Sequence, residues 1–551
     1  MSALTDMGTV THLHTAEELK SQFGIDIVHQ PAVSTLAVFE NKFPEGDTSL
    51  EKMTAKARVV VEGTKKSMQQ GVHYDVTYAA TPSQDSIMLF NAMVVHQKLA
   101  RMSFDVGNAY CWAPQGLKLA LDYPRGMAQY NDAGQRLYMC LHKNTYGKPD
   151  GANLWHSERD TFWLTHFNGA QGCTITWTCV RLIKEQSMFK FTRTTDDTVE
   201  ITYLLAWSDD CDMASTSVSM MTEIKDASHS KWTVKQVNSD FMLGVRRTLR
   251  QEEDVWKLRL TQAEFIDGLV GAYESHLTLA GWAKAVPDCP TPAGIWLSLD
   301  DPVDPKESDT VSKRGYKALV GSLLWVSRFC HKELAVGISN VCRVMSRPSE
   351  RAWSHCMQML AWLRAHRCRG IEFRSDESVH GLVATTDASN KPDVRDSRCQ
   401  AGYDIHWCGG PLSAHSSKLK HAGYGSPANE YMAIRAAACT VMKFRYIFEE
   451  LGLTQVIDQP TKIYCDNATA VQWVKTGKVT EGNQYIDLAY NLPRQLEGQQ
   501  DIVICGIDTK DNTSDLMSKP FGPAEIKRLL APFTGHALWE IMTPRVTPTF
   551  T

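Results

Sequence analysis

The chain has 551 residues, 43% of them hydrophobic and 22% charged, with a formal net charge of −4, values ordinary for a globular protein of several domains. No run of 18 or more apolar residues occurs, which argues against a membrane span, and the opening MSALTDMGTVTHLHT lacks the apolar stretch and basic flank of a signal peptide. The fifteen cysteines include no C-x-x-C pair, so a structural zinc site is not expected and buried thiols are.

In chain order, loop-like stretches are expected at 122–135, 287–294 and 346–351. The runs MFKFTR (188–193) and TVEITYLLAW (198–207) flank TTDD and predict a β-hairpin. The chain turns again at Ser208–Asp210, which puts Asp209 and Asp210 at a second tip. Two further DD pairs stand at 196–197 and 300–301, so adjacent aspartates alone are weak evidence of a site. The proline-rich 287–305 region, with Asp300, Asp301 and Asp304, reads as a linker between larger units.

Residues 311–370 switch to helical spacing, as in YKALVGSLLWVSRF and WSHCMQMLAWLRAH. They carry eleven Lys or Arg against Glu333 and Glu350, +9 in a chain whose remainder is −13. Such a stretch points to a polyanion track, with a solvated helix face as the alternative. Within it, His355-Cys356 and His366-x-Cys368 lack zinc spacing and read as packing and surface residues, and Met357, Met359 and Leu360 as core. Strands return after 370 in IEFRS, GLVATTD and QAGYDIHWC, the last with Tyr403, Ile405 and Trp407 on one face. SPANEYMAIRAAACTVMKFRYIFEELG predicts a long helix with Ser426 as N-cap, Pro427 at the first helical position and Gly452 at its end. Its buried stripe is Ile434, Ala438, Val441, Phe444 and Phe448. TKIYCD, a short helix, DIVICGID and a terminal helical stretch complete a compact α/β domain.

That domain carries four acids at places where chemistry can be built. Asp387 ends VATTD, Asp466 ends KIYCD, Glu430 lies in the first turn of the long helix, and Asp515 opens the terminal helical stretch. Glu430 stands four residues before Ile434 and continues the buried stripe. Buried acids are rare unless paired, and two carboxylates about 4 Å apart repel by roughly 4 kcal/mol at an effective dielectric near 20. A cluster of them therefore implies a cation or a proton. Phosphoryl transfer between nucleotides uses such clusters to hold two divalent ions about 3.5–4 Å apart.

TTDAS, ANEYMAI, IYCDNATAV and DNTSDLMSKPF together resemble the RNase H domain of copia-type LTR retrotransposons. The resemblance implies that Asp387, Glu430, Asp466 and Asp515 bind two Mg2+ ions that hydrolyse the RNA strand of an RNA–DNA hybrid. The chain departs from the family pattern at Ser389, at Ala428 and at Tyr485-Ile486-Asp487, none of which removes a ligand.

The upstream half is similar to the same family's reverse transcriptase. AKARVVVEG resembles the fingers motif, with Lys56 and Arg58 as implied triphosphate contacts; SFDVGNAY and LLAWSDD resemble the two palm motifs. Strand alternation turns Asp105 away from Phe104 and Val106, and the resemblance joins it to Asp209 and Asp210 as a second two-metal triad. YMCLHKNTYGKPDGANLW implies a nucleotide pocket with Tyr146 and Gly147, and Tyr110 falls at the steric-gate position that excludes a ribose 2′-OH. FMLGVRRTL and YKALVGSLLWVSR match the segments that follow. The family's Tyr-Val-Asp-Asp reads Trp207-Ser208-Asp209-Asp210, its Leu-Lys-Gln reads Lys148-Pro149-Asp150, and a palm Lys is Gly107.

The resemblance covers roughly residues 35–525 and implies a multidomain α/β (α+β) chain of right-hand polymerase fingers and palm, helical thumb/connection and RNase H-like α/β domain. The expected division is an N-terminal extension (1–34), fingers and palm (35–250), thumb/connection (251–370), RNase H-like domain (371–530) and tail (531–551). Its implied partners are RNA template, DNA primer, RNA–DNA hybrid and dNTPs, with a homodimer or other Pol products besides and no membrane. Its implied ions are Mg2+, two per active site, with Mn2+ as a substitute. Lys313, Arg314, Lys317, Arg343, Arg347, Arg364 and Arg367 are the expected nucleic-acid contacts. The expected location is intracellular: cytoplasm, virus-like particles, and nuclear access for integration. Two other readings stand beside a reverse transcriptase with fused RNase H. One is a domesticated or decayed element that binds nucleic acid without synthesis; the other is RNase H activity alone.

Overall fold

The computed structural model describes residues 2–42, 53–64, 67–171, 175–302, 304–376, 381–389, 397–478, 480–486 and 488–534. Asp487 and most of the expected tail lie outside these. The chain divides into two units: one of residues up to Pro82 with Arg101–Asn238, the other of Ser83–Ala100 with everything from Ser239 on. The 35–250 part of the division expected from sequence crosses these units, since residues 83–100 and 239–250 pack with the second. Among the described residues no helix is long and apolar enough to cross a membrane.

In the first unit a seven-stranded sheet runs in the order 234–237, 100–106, 210–215, 199–207, 188–194, 175–181, 169–171. Its centre is the expected double hairpin: Thr194 pairs with Val199 at one turn and Trp207 with Asp210 at the next. Phe189, Phe191 and Leu204 are fully buried, and Trp163 of helix Gly151–His166 meets both phenylalanines edge-on at 5.0 and 6.3 Å. The first thirty residues, in which the sequence shows no pattern, also contribute. Val10–His14 pairs with Arg136–Lys143 in a second sheet, beside Pro114–Leu121. Strands Thr35–Lys42 and Thr54–Val61 form a separate two-stranded ribbon.

The second unit holds a helical core and two sheets. Helices Tyr316–Phe329, Ala335–Arg343 and Glu350–His366 bury Leu319, Leu323, Ile338, Val341, Met357, Met359 and Leu360 together. The 287–305 region is a linker in composition only: both its flanks belong to this same unit. Leu297 is buried in the helical core, and its N–H donates to Asn340 Oδ1 at 2.9 Å, while Asn340 Nδ2 donates to Ile295 O at 3.0 Å. Its irregular backbone is satisfied from the helices it crosses.

The five-stranded sheet runs 410–418, 400–407, 383–388, 461–465, 502–506; the first three strands are antiparallel and the last two join in parallel. Its first outer strand, Gly410–Lys418, takes the place expected for IEFRS, which instead pairs with Val255–Thr261 in a four-stranded sheet. In the pairing actually made, Leu258 faces Phe373. The long helix spans Ser426–Leu451, ends on left-handed Gly452 as expected, and buries Ile434, Ala438, Val441, Phe444 and Phe448 completely. Each such aliphatic or aromatic side chain contributes about 1.5–3 kcal/mol. Gly425 is the N-cap and Ser426 the first helical residue, so Ser426 is not the cap; its hydroxyl instead takes the Asn467 amide at 3.4 Å. Helix Gln84–His96, buried from Ser86 to Val95, packs on Gly410–Lys418 and Gly370–Arg374.

Candidate functional site

Strand register brings the C-terminal acids together. Thr386 and Cys465 are parallel partners, so the next residue on each strand is an acid, Asp387 and Asp466. Asp387 is 1% exposed. Asn467 ends the strand turn by capping helix Ala468–Thr476, its Oδ1 accepting from Ala470 N–H at 3.0 Å, which holds Asp466 at the sheet's edge. Asp515 is delivered by a tethered loop: Asn512 Nδ2 donates to Thr386 O at 3.1 Å, and the Thr513 and Thr385 hydroxyls share a 3.0 Å bond. Glu430 comes from the long helix, as its fifth residue rather than in its first turn, and is 3% exposed.

Carboxylate oxygens of Asp387, Asp466 and Asp515 lie within 4.8 Å of one another, as do the ligand atoms of Glu430, Cys465 and Asp466. The first set is all oxygen, the donor type of a hard divalent cation. The electrostatics agree with a site short of positive charge. Burial, then Asp387, then Asp466 push the Glu430 carboxyl well above the usual range. Burial and then Asp387 raise Asp466 as well. Asp515 is pushed up to about 7, by burial first and Asp387 next.

Two neighbours that the sequence reading did not single out complete the cluster. Lys519 Nζ lies 3.1 Å from Asp387 Oδ2 and 2.5 Å from Asp515 Oδ1. The Ser518 hydroxyl donates to Asp387 Oδ2. Burial opposes the charge on Lys519, yet Asp387 and Asp515 outweigh it and hold its pKa above the lysine range. The signal was present in SDLMSK, where Lys519 stands four residues after Asp515 in a helical stretch.

In the first unit the hairpin tip is Ser208-Asp209, with Ser208 in the left-handed region at φ 56°. Its carbonyl accepts from Trp155 Nε1 at 2.9 Å and from the fully buried Arg159 at 3.2 Å; its hydroxyl donates to the Tyr110 hydroxyl at 3.2 Å. The Asp209 carbonyl accepts from Val106 N–H at 3.0 Å, which ties the tip to the strand of Asp105. Asp105 is half-buried between buried Phe104 and Val106. Among the described residues, Asp105, Asp209 and Asp210 do not close to the 4.8 Å spacing of the C-terminal acids. Asp212, also on the hairpin, is buried and accepts from Ser103 Oγ at 2.6 Å.

The Tyr110 and Tyr146 rings meet at 4.7 Å. Gly147 is left-handed at φ 89°, and the Tyr146 carbonyl accepts from Val61 N–H at 2.9 Å, so this segment lies backbone to backbone against the end of Thr54–Val61. On that strand Lys56 stands opposite Glu40, and Arg58 bonds Glu40 at 2.8 Å. Where the family's Lys–Gln pair is missing, Lys148 is buried against Asp150 at 3.2 Å and Gln115 Oε1 at 2.8 Å.

Most of the basic stretch is used internally. Arg314 forks onto Glu350 at 2.6 and 2.7 Å, Arg367 bonds Asp267 at 2.6 Å, and Arg347 reaches Pro302 O at 3.3 Å. Arg364 donates to the carbonyls of Trp282, Ala283 and Ala285 at 2.7–3.0 Å. Arg343 lies 4.8 Å over the Trp296 ring. Lys313 and Lys317 are exposed.

The chain is thus a mixed α/β protein that gathers an all-oxygen acidic cluster on a five-stranded sheet. Along 480 residues, 86% of its length, the chain is 22% identical to the "Retrovirus-related Pol polyprotein from transposon TNT 1-94" of Nicotiana tabacum. The retrotransposon Pol resemblance read from the sequence thus has a curated counterpart along nearly the whole chain, which spans about a third (33%) of that relative's length. A 122-residue part, 22% of the chain, is 27% identical to "Secreted RxLR effector protein 161" of Plasmopara viticola, covering 85% of it. No protein-family model matches. Among solved structures, LC11-RNase H1 in complex with an RNA/DNA hybrid aligns with 25% of this chain and 93% of its own, at 13% identity and a TM-score of 0.20. RNase H1 from Halobacterium salinarum NRC-1 does so over the same shares, at 13% identity and a TM-score of 0.19.

Proposed function

We propose that this chain is the polymerase and ribonuclease portion of a retrotransposon Pol protein. It copies RNA into DNA at Asp105, Asp209 and Asp210, and degrades the RNA strand of the resulting hybrid at Asp387, Glu430, Asp466 and Asp515. The observation that carries the ribonuclease half is the convergence of Asp387, Asp466 and Asp515 within 4.8 Å, with Glu430 buried beside them. These residues fit Mg2+, or Mn2+ in its place, because their donors are carboxylate oxygens, buried and close enough to raise one another's pKa. When bound, two such ions would stabilise the attacking and leaving oxygens of phosphodiester cleavage.

The chain's own residues supply the rest. Asp387 and Asp466 are fixed by strand register, Asp515 by the Asn512 and Thr513 tethers, and Glu430 by a helix that cannot rotate without exposing its apolar stripe. In the polymerase half, Trp155 and Arg159 fix the hairpin tip, and Ser208 and the Tyr146 ring hold Tyr110, to which the steric gate against a ribose is assigned.

A second reading, ribonuclease activity without synthesis, is favoured by the departures at Trp207-Ser208 and Lys148-Pro149-Asp150, where Lys148 is buried against Asp150. The deciding experiment is primer extension with dNTPs on an RNA template and, separately, cleavage of an RNA–DNA hybrid, for the parent, Asp210→Asn and Asp466→Asn. The full proposal expects extension to be lost only with Asp210→Asn and cleavage only with Asp466→Asn. Cleavage without extension by the parent selects the second reading, and neither activity rejects both.

A further inference from the structure

The second unit carries an open cavity of about 1030 Å³, between the 419–425 loop, the start of the long helix, residues 481–486 and Tyr490. Two tyrosines stand at it largely bare: Tyr424 is 74% exposed and Tyr485 77%, with ring centroids 6.5 Å apart and planes inclined by 51°. Both rings present their faces to solvent. Around them stand Arg398, Lys420 and His421 against one acid, Glu481, among the described lining residues. Tyr490 is buried behind, its ring 5.4 Å from the Arg435 guanidinium. The cavity shares a helix with the catalytic cluster: Met432 lines it two residues beyond Glu430, and Gly423 on its loop packs against Asn429.

We infer that this cavity is a binding site for unpaired nucleotides, which stack on Tyr424 and Tyr485 while Lys420 and Arg398 meet their phosphates. Bare aromatic faces combined with cations are the chemistry of single-strand recognition, since every unpaired base offers a π-face. A paired, stacked base in a duplex offers none, so duplex would engage the cations and leave the rings unused. The site shares the long helix with Glu430. The placement of the site next to a cleavage centre rests on the ribonuclease reading; the binding chemistry does not.

The test is anisotropy binding in EDTA with three probes: a blunt RNA–DNA hybrid, the same hybrid with a short single-stranded extension on either strand, and a single-stranded oligonucleotide. Stacking of about 1–3 kcal/mol per base predicts that an extension tightens binding about tenfold or more. Tyr424→Ala with Tyr485→Ala should abolish that gain and weaken the single strand, with blunt-hybrid affinity and thermal midpoint unchanged. Tyr424→Phe with Tyr485→Phe should retain it. Equal binding of blunt and extended hybrids by the parent overturns the inference, as does an equal loss for both probes in the alanine variant. If no hybrid binds but the single strand does, in a tyrosine-dependent way, the ribonuclease reading fails and the nucleotide site stands.

Discussion

The Lys519 ammonium bridges two acids of the candidate metal cluster, 3.1 Å from Asp387 Oδ2 and 2.5 Å from Asp515 Oδ1. It stands where a divalent ion would draw the same oxygens, so the side chain stabilises the metal-free protein and competes with the ion. Its side chain is 32% exposed, which leaves it a route outward. Lys519→Gln should therefore lower the metal-free thermal midpoint by several degrees, since carboxylates at this range repel by roughly 4 kcal/mol at an effective dielectric near 20. It should also tighten Mg2+ or Mn2+ binding measured by calorimetry. Weaker or unchanged binding would show that Lys519 supports the ion instead of opposing it.

The same cluster sets a pH dependence. Asp515 rises from 3.8 to about 7 on folding, from burial first and then Asp387, and Glu430 moves in the same direction. Between those values the folded state holds protons that the unfolded state has released. The stabilisation is thus complete below the unfolded pKa and lost as pH rises through about 7. Urea unfolding in EDTA should show this contribution declining between about pH 4 and about pH 8, with a shallower slope in Asp515→Asn and in the presence of divalent ion. An Asp515→Asn profile parallel to the parent's contradicts the assignment.

Arg159 is completely buried, donates to the Ser208 carbonyl at the hairpin tip and forks onto Asp160 at 3.0 and 2.8 Å. Arg159→Met leaves Asp160 with Arg181 alone and removes one of the tip's anchors. Breaking a buried pair costs about 3–5 kcal/mol, and the released tip should cut primer extension at least about tenfold. Hybrid cleavage, housed in the other unit, should be unaffected in the same preparation. Parallel loss of both activities would mean global unfolding instead.

Gly147 is needed for its missing side chain. At φ 89° a Cβ would sit 2.0 Å from the Val61 carbonyl oxygen, backbone that cannot move aside cheaply. Gly147→Ala should cost about 3 kcal/mol or more in denaturant unfolding, combining left-handed strain with overpacking. Gly116→Ala, whose Cβ meets nothing within 4 Å, is the near-neutral control.

Periodicity made much of this chain legible. The double hairpin at 188–210, the buried stripe of the long helix and the strand-end positions of Asp387 and Asp466 follow from side-chain direction alone. What failed did so for tertiary reasons. Pairing partners are not written in a five-residue run, so nothing in IEFRS itself says that it joins Val255–Thr261. Proline content marks irregular backbone but not exposure, and the 287–305 segment is clasped by Asn340. Charge counts cannot separate a solvated arginine from one bonded to carbonyls, as Arg364 is. Lys519 stood in plain view; only the folded cluster gives its charge a purpose.

Helix Gln84–His96 belongs by packing to the second unit, though it is bracketed in sequence by the first. During synthesis this apolar helix emerges before Gly370–Arg374 and Gly410–Lys418, the strands that cover it. The nascent chain must carry an uncovered hydrophobic segment through the whole interval, a period in which chaperone capture or aggregation competes with folding. It also means that no single cut can release the second unit intact. A fragment beginning at Ser239 would lack its own interior, and should come out insoluble unless the helix is supplied in trans.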